Sequence, residues 1–350
     1  SPDGLALLVA RSVDGGDVLA LHDEHGHHVR DVPLPAHGAV SLRWSPDSSR
    51  AVISLSAPAV PGDVIVLDRA SGVTVVAATS SGEAPPGLLE TLVEPTSHLV
   101  PAPDGEQVPC FAYRPDGAAD PALAGAVVID VHGGPEAQAQ RVFNPVVQAL
   151  VAAGVTVLVP NVRGSTGYGK RWYSLDDGRL RIDAIADLLA LRDWAPAVGG
   201  DPERVALYGG SYGGYLVLCG LAMQSGKWRA GVDIVGMSSL VSFLENTSPY
   251  RRRAREREYG SLTRDRAFLE AASPITYLES MATPLFVIHG ANDPRVPLSE
   301  SEQIKAALDG KDVPCELMVF DDEGHGLAKR ANRLEAYPRA VEFLLRHLAR

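Results

Sequence analysis

Four short segments of this chain carry residues suited to acyl transfer. In Val205–Gly214, V-A-L-Y-G-G-S-Y-G-G, an apolar run drives into a serine, Ser211, with glycines on both sides. The G-x-S-x-G pattern of Gly209–Gly213 predicts a nucleophile elbow, a strand turning sharply into a helix with the hydroxyl raised on a strained turn. Flanking glycines allow the two backbones to approach where a Cβ would clash. A serine hydroxyl alone attacks poorly, so the chemistry requires a base, an orienting carboxylate and donors for a developing oxyanion. The chain supplies candidates for each: His325 in D-D-E-G-H-G, Asp293 in H-G-A-N-D-P-R-V-P, and the glycine pair Gly133-Gly134 in V-H-G-G-P.

The elements that would position them follow from the apolar pattern. From about Leu99 onward, short apolar runs alternate with helix-length amphipathic segments, which predicts a mostly parallel sheet flanked by helices. Strands are expected at Val108–Tyr113, Ala126–Val131, Val155–Pro160, Val205–Tyr208, Gly231–Val235, Leu285–His289 and Cys315–Phe320. Helices are expected at Val142–Ala153, Ile182–Ala195, Tyr212–Met223, Ser299–Leu308 and Arg333–Leu348. Asp293 and His325 then fall on loops at the carboxyl ends of successive strands, the edge where open α/β sheets build their sites. Asp321, Asp322 and Glu323 are rival acids, but they lie too close to His325 in sequence to be its usual partner. The order Ser, Asp, His is that of α/β-hydrolases. In such a site His325 takes the serine proton and Asp293 holds the imidazole. The N–H groups of the Gly133-Gly134 turn and of Tyr212 receive the oxyanion. His132 reads as a hydrogen-bonding structural residue.

Composition narrows the partners. With 350 residues, 45% of them hydrophobic and 21% charged, the chain can bury a large core. A formal net charge of −11 disfavours nucleic acid or an anionic membrane as partner. The basic run Arg251-Arg252-Arg253 is interspersed with glutamates and reads as a solvated face. Cys110, Cys219 and Cys315 are widely spaced in apolar surroundings, which predicts core residues in a reducing, cytoplasmic setting. No apolar run reaches the roughly 20 residues that span a bilayer, and no signal peptide is visible. The histidines His22, His25, His27 and His28 lack ligand spacing, and no dinucleotide fingerprint follows the first strand, so neither metal nor cofactor is expected.

The first 85 residues differ from the rest. Ser1-Pro2-Asp3-Gly4 recurs as Ser45-Pro46-Asp47-Ser48, and Val18–Asp23 recurs as Val64–Arg69. A repeat of this length, with alternating apolar strands after each turn, suggests about two blades of a β-propeller in residues 1–85. S-S-G-E-A-P-P at Ser80–Pro86 reads as the linker to an α/β domain over 86–350. Two blades close no ring. An upstream segment beyond Ser1, a partner chain such as a second copy, or an open remnant would each account for them.

Taken together, V-H-G-G-P, N-V-R-G-S-T-G-Y-G at Asn161–Gly169, G-G-S-Y-G-G, F-L-E-N-T-S-P-Y-R-R-R at Phe243–Arg253, H-G-A-N-D-P-R-V-P and D-E-G-H-G resemble the catalytic domain of the prolyl oligopeptidase family, notably its acylaminoacyl-peptidase-like and bacterial dipeptidyl-peptidase-like branches. The resemblance covers about residues 100–350. It implies an α/β-hydrolase fold, serine-peptidase activity on small peptides or acyl amides, and an N-terminal propeller that screens substrates by size. It also implies that Arg295 holds a substrate carbonyl, and that Tyr212 and Val296 line the pocket for the residue before the cleaved bond. The chain departs from prolyl endopeptidases in placing His132 where they carry a tyrosine that assists the oxyanion, which favours the acylaminoacyl type. The same triad also serves esterases, thioesterases and acyl-transfer or cyclising enzymes, and a non-catalytic scaffold is the reading from another class.

Overall fold

In the computed structural model, which describes residues 1–116, 120–311 and 313–349, the chain divides into two compact units: Ser1–Pro95 with Ala139–Gln148, and Thr96–Gln138 with Ala149–Arg350.

The first unit is built of antiparallel strands. β1 (Ala6–Val13), β2 (Gly16–Asp23) and β3 (His28–Val32) form one sheet, and β4 (Ala39–Trp44), β5 (Arg50–Ala57), β6 (Val60–Asp68) and β7 (Thr74–Thr79) form a second. Strand alternation sends Ala51, Ile53 and Leu55 of β5 and Ile65 and Leu67 of β6 inward, where they join Ala6, Leu19, Leu21 and Val32 in one core. The sequence repeat is matched in its hydrogen bonds. Ser1 Oγ donates to Asp3 Oδ1 and Ser45 Oγ to Asp47 Oδ1, both at 2.6 Å. Each serine oxygen also accepts the N–H that opens the following strand, Ala6 or Arg50, at 3.0 Å. The fourth turn position is left-handed in both copies, φ +73° at Gly4 and +61° at Ser48. Residues 139–148 belong to this unit through Arg141, which donates to Asp14 Oδ2 at 2.9 Å, and through Phe143, whose N–H meets Ser56 Oγ at 3.1 Å.

Among the described residues, the second unit holds a single sheet. Its strands are β8 (Thr96–Pro101), β9 (Gln107–Tyr113), β10 (Val127–Val131), β11 (Thr156–Pro160), β12 (Val205–Gly210), β13 (Gly231–Ile234), β14 (Leu285–Gly290) and β15 (Cys315–Phe320). Their order is β15-β14-β13-β12-β10-β11-β9-β8, parallel except where β9 pairs with β8 and β11. Helices cover both faces, so the central strands read as continuous apolar runs. On β14, Leu285 and Val287 enter the core shared with the helix Tyr212–Met223, while Phe286 meets Phe343 of the last helix, Arg330–Leu348, at 5.7 Å between ring centres.

The expected strands and helices of this unit are present, with ends shifted by up to three residues. Elements not expected include β3, β4, β7, β8 and three helices between β13 and β14: Leu240–Asn246, Pro249–Tyr259 and Arg266–Ala271. The arginine run lies on Pro249–Tyr259, which opens with proline at its first turn and buries only Glu258 and Tyr259. With no apolar stripe, it gives no helical signal by periodicity.

The elbow has the closest backbone packing of this architecture. A Cβ on Gly213 would lie 2.0 Å from the Val131 carbonyl oxygen, and one on Gly209 would lie 2.6 Å from the Gly213 carbonyl carbon. Gly213→Ala is expected to lower stability by roughly 3 kcal/mol through overpacking against backbone that cannot yield. Thermal melting of the variant measures this, and a midpoint equal to the parent's contradicts it.

Candidate active site

β10 and β12 are neighbours, yet the chain leaves β10 toward β11 on the other side. Their carboxyl ends therefore flank a topological switch point, where crossover loops diverge and leave a crevice. The V-H-G-G-P loop follows β10 and Ser211 follows β12, with Val131 and Gly209 paired in register. Ser211 adopts φ +57°, ψ −114°, a conformation that strains any residue with a Cβ. Two bonds hold it there: its N–H donates to the Ile234 carbonyl at 2.7 Å, and its own carbonyl accepts the Tyr215 N–H at 2.9 Å.

Asp293 and His325 arrive from β14 and β15, the two strands beyond β13. β14 and β15 run parallel in register from Leu285↔Cys315 to Gly290↔Phe320, so the loops after them leave side by side. Asn292 N–H donates to the Glu323 carbonyl at 2.9 Å and ties one loop to the other. His325 Nε2 lies 3.0 Å from Ser211 Oγ, and His325 Nδ1 lies 2.6 Å from Asp293 Oδ2. The Asp293 side chain is fully buried and that of His325 is 14% exposed. Asp293 Oδ1 accepts the N–H groups of Arg295 and Val296 at 2.7 and 3.1 Å, which fixes the carboxylate before it meets the imidazole. Two of the rival acids are engaged elsewhere. Glu323 accepts the N–H groups of Ala328 and Lys329, and Asp322 bonds Lys329 and Asn332.

Gly133 lies against the elbow, where a Cβ would approach the Gly210 carbonyl oxygen to 3.0 Å and the Ser211 Cβ to 3.4 Å. Gly134 has φ +138° and precedes a cis bond to Pro135. His132 is partly buried, and desolvation lowers its pKa; its Nε2 lies 2.8 Å from Ser165 Oγ. It therefore joins two loops. Tyr212 begins the helix after the nucleophile, and its ring is wholly buried with the phenol donating to Asp176 Oδ1 at 2.8 Å. Val296 is 2% exposed and contributes through its backbone. Arg295 is exposed, and among the described residues its guanidinium has no hydrogen bond or ion pair.

Two buried groups behind the site were not anticipated from sequence. His289, the last-but-one residue of β14, has Nε2 3.0 Å from the Val296 carbonyl and Nδ1 2.6 Å from Ser301 Oγ. Burial lowers its pKa; the neutral ring donates through Nε2 and accepts the serine hydroxyl, holding the Asp293 loop at its far end. Its only sequence mark is its place four residues before Asp293. Asp233, on β13 beside Gly209, accepts the Gly236 N–H at 2.8 Å, while its other oxygen is buried without a hydrogen bond. A Cβ on Gly214 or Gly236 would meet its Oδ1 at 2.2 or 2.3 Å. Burial pushes the Asp233 carboxyl up to about 7, against the Gly236 N–H, which lowers it.

A serine elbow at the switch point of such a sheet, with aspartate and histidine after β14 and β15, places the second unit among the α/β-hydrolases. Residues 141–350 match the sequence profile of the prolyl oligopeptidase family, and the chain belongs to that family. It is 36% identical over 231 residues to the dipeptidyl peptidase family member 6 of Caenorhabditis elegans, covering 64% of this chain and 31% of the relative. With the dipeptidyl aminopeptidase BIII of Pseudoxanthomonas mexicana the identity is 38% over 223 residues, 62% of this chain and 32% of the relative. A puromycin-hydrolyzing peptidase of Mycobacterium tuberculosis superposes with TM-score 0.88 at 26% identity, over 98% of this chain and 52% of that one. The chain thus spans a third or less of the length of these curated relatives.

Asp233 gives a pH-dependent expectation. Its folded-state pKa lies above the usual aspartate value, so the neutral acid is favoured; its contribution is intact below about pH 4 and is lost as pH rises through 7. Asp233→Asn should therefore gain stability relative to the parent by on the order of 2–3 kcal/mol between pH 5 and pH 8.5. Paired denaturant melts at the two pH values read the difference. A gap that does not widen with pH contradicts the assignment.

Proposed function

We propose that this chain is a serine peptidase that cleaves peptide or acyl-amide bonds of small peptides through an acyl-enzyme on Ser211. The observation that carries the reading is the continuous relay from Ser211 Oγ through His325 to Asp293, at 3.0 and 2.6 Å, on a strained elbow. His325 Nε2 removes the hydroxyl proton as Ser211 Oγ attacks the carbonyl, and Asp293, bonded at Nδ1, stabilises the imidazolium. The tetrahedral oxyanion is received by N–H groups of the Gly133-Gly134 turn and of Tyr212, each donor worth roughly 3 kcal/mol on the transition state. His325 returns the proton to the leaving nitrogen. Water then repeats the attack on the acyl-serine. Arg295, exposed and unpaired two residues from Asp293, binds a substrate carbonyl or carboxylate.

The N-terminal unit serves as part of a β-propeller that restricts access by size. Its four-stranded β4–β7 sheet, the matching turns at Ser1 and Ser45, and the apolar residues Leu7, Val9, Val18, Val52, Val64 and Val75 left exposed on its strands support this role, since blades stack through such faces. Relatives named as peptidases support amide bonds as the substrate class.

A fluorophosphonate probe is expected to label the parent protein and to leave Ser211→Ala and His325→Ala unlabelled, with thermal midpoints nearly unchanged. Aminoacyl- and acyl-aminoacyl-anilides should be turned over by the parent alone; hydrolysis confined to p-nitrophenyl esters would overturn the peptidase reading. Arg295→Met should raise KM for peptides about tenfold, equivalent to about 1.4 kcal/mol of binding, with a smaller change in kcat. An unchanged KM removes Arg295 from substrate binding.

A further inference from the structure

The two halves of the proposed oxyanion site sit on different elements, and an uninterrupted line of charged side chains joins them. At one end is Tyr212, whose phenol donates to Asp176 Oδ1 at 2.8 Å. Asp176 Oδ2 lies 2.8 Å from Arg181 Nη1 and Arg181 Nη2 lies 3.7 Å from Glu258 Oε1, ion pairs without hydrogen-bond geometry, and Arg181 Nη2 donates to the Glu258 backbone carbonyl at 3.2 Å. Glu258 pairs with Arg255, and Arg255 Nη2 reaches Glu136 Oε2 at 3.0 Å. Glu136 stands on the loop that carries Gly133 and Gly134.

The middle of the line is sealed from water. Side chains of Arg181, Asp176 and Glu258 are 0, 2 and 6% exposed, whereas Glu136 at the outer end is 38% exposed. The Arg181 guanidinium lies 3.9 Å from the Tyr259 ring centre and 5.2 Å from that of Tyr212. Burial, the largest influence, opposes its charge, but the Asp176 carboxylate and the Tyr212, Tyr259 and Tyr215 side chains together outweigh it and keep it protonated. Ion pairs stacked on aromatic rings in a dry interior are stiff, because any displacement leaves a charge without a partner. Donors to an oxyanion act only when held to within about 0.5 Å of their productive place.

We infer that this line of ion pairs is a brace that fixes the Tyr212 N–H against the Gly133-Gly134 turn, making Asp176, Arg181, Glu258, Arg255 and Glu136 positioning residues for the oxyanion site. The inference rests on the proposed acyl-enzyme mechanism. It assigns these residues no contact with substrate.

Substituting a middle member strands a buried charge, so the ends are the places to cut. Tyr212→Phe and Glu136→Ala leave the Asp176–Arg181–Glu258–Arg255 pairs in place. Each is expected to lower kcat about tenfold with KM within about twofold, and to weaken a peptidyl boronic acid, which forms a tetrahedral adduct on the serine, by a similar factor. The thermal midpoint of Glu136→Ala should stay near the parent's, whereas Tyr212→Phe, which takes the donor from the buried Asp176 Oδ1, should melt a few degrees lower. Because either cut releases the same brace, the double variant should be little worse than the poorer single variant. The inference is overturned if either single variant keeps kcat within about twofold of the parent, if the loss falls on KM alone, or if the two losses multiply to about a hundredfold. Fluorophosphonate labelling of the parent, lost in Ser211→Ala, separates the two levels. With labelling intact, unaffected end variants sink the brace alone; a parent that takes no label sinks both.

Discussion

The lack of space between the nucleophile helix and the end of β10 is the constraint on which the second unit depends. The first turn of Tyr212–Met223 crosses the Val131 carbonyl so closely that Gly213 has no room for a side chain. That contact forces the chain to reverse within one residue, and Ser211 takes the positive φ that results. Strain of this kind costs on the order of 1–3 kcal/mol and persists only where its surroundings over-determine it. Here the surroundings are two central strands, a helix anchored by the buried phenol of Tyr212, and the Ile234 carbonyl that receives the Ser211 N–H.

Once the serine is fixed, the remaining geometry follows from sheet register. A parallel step from β14 to β15 moves the chain one strand sideways without shifting it along the strand axis, so Asp293 and His325 come from adjacent loops of similar height. The two loops are then made one body by the Asn292–Glu323 backbone bond, by Glu323 folding back on Ala328 and Lys329, and by His289 beneath Val296. The imidazole is thus aimed by bonds to its loop and by its carboxylate, and the glycines beside it supply only the freedom to be aimed.

The parts of this arrangement legible in the sequence were those carried by local signals. Apolar runs of strand length gave the central strands because both faces of the sheet are covered, and glycines marked the elbow and the turn after β10. Ser211, Asp293 and His325 could be found because each sits just past such a run. What escaped were elements without an apolar period, above all Pro249–Tyr259, which turns only its last two residues inward. The partners of Tyr212 escaped for a related reason: Asp176, Arg181 and Glu258 are ordinary surface types by composition, and only the fold turns them inward. Burial of a charge is a tertiary fact, and no pattern of neighbours along the chain encodes it.

The paired turns of the first unit lead to a different point. In both copies a serine and an aspartate two residues on close the loop with their own oxygen atoms, while the left-handed position is glycine in one and serine in the other. The glycine is therefore the dispensable letter of the motif. A copy can exchange it at a modest conformational penalty and keep every bond that defines the turn, as Ser48 does while its hydroxyl accepts the Asp3 N–H. Between these two copies the left-handed position is the one exchanged, and the serine–aspartate pair that closes the turn is kept.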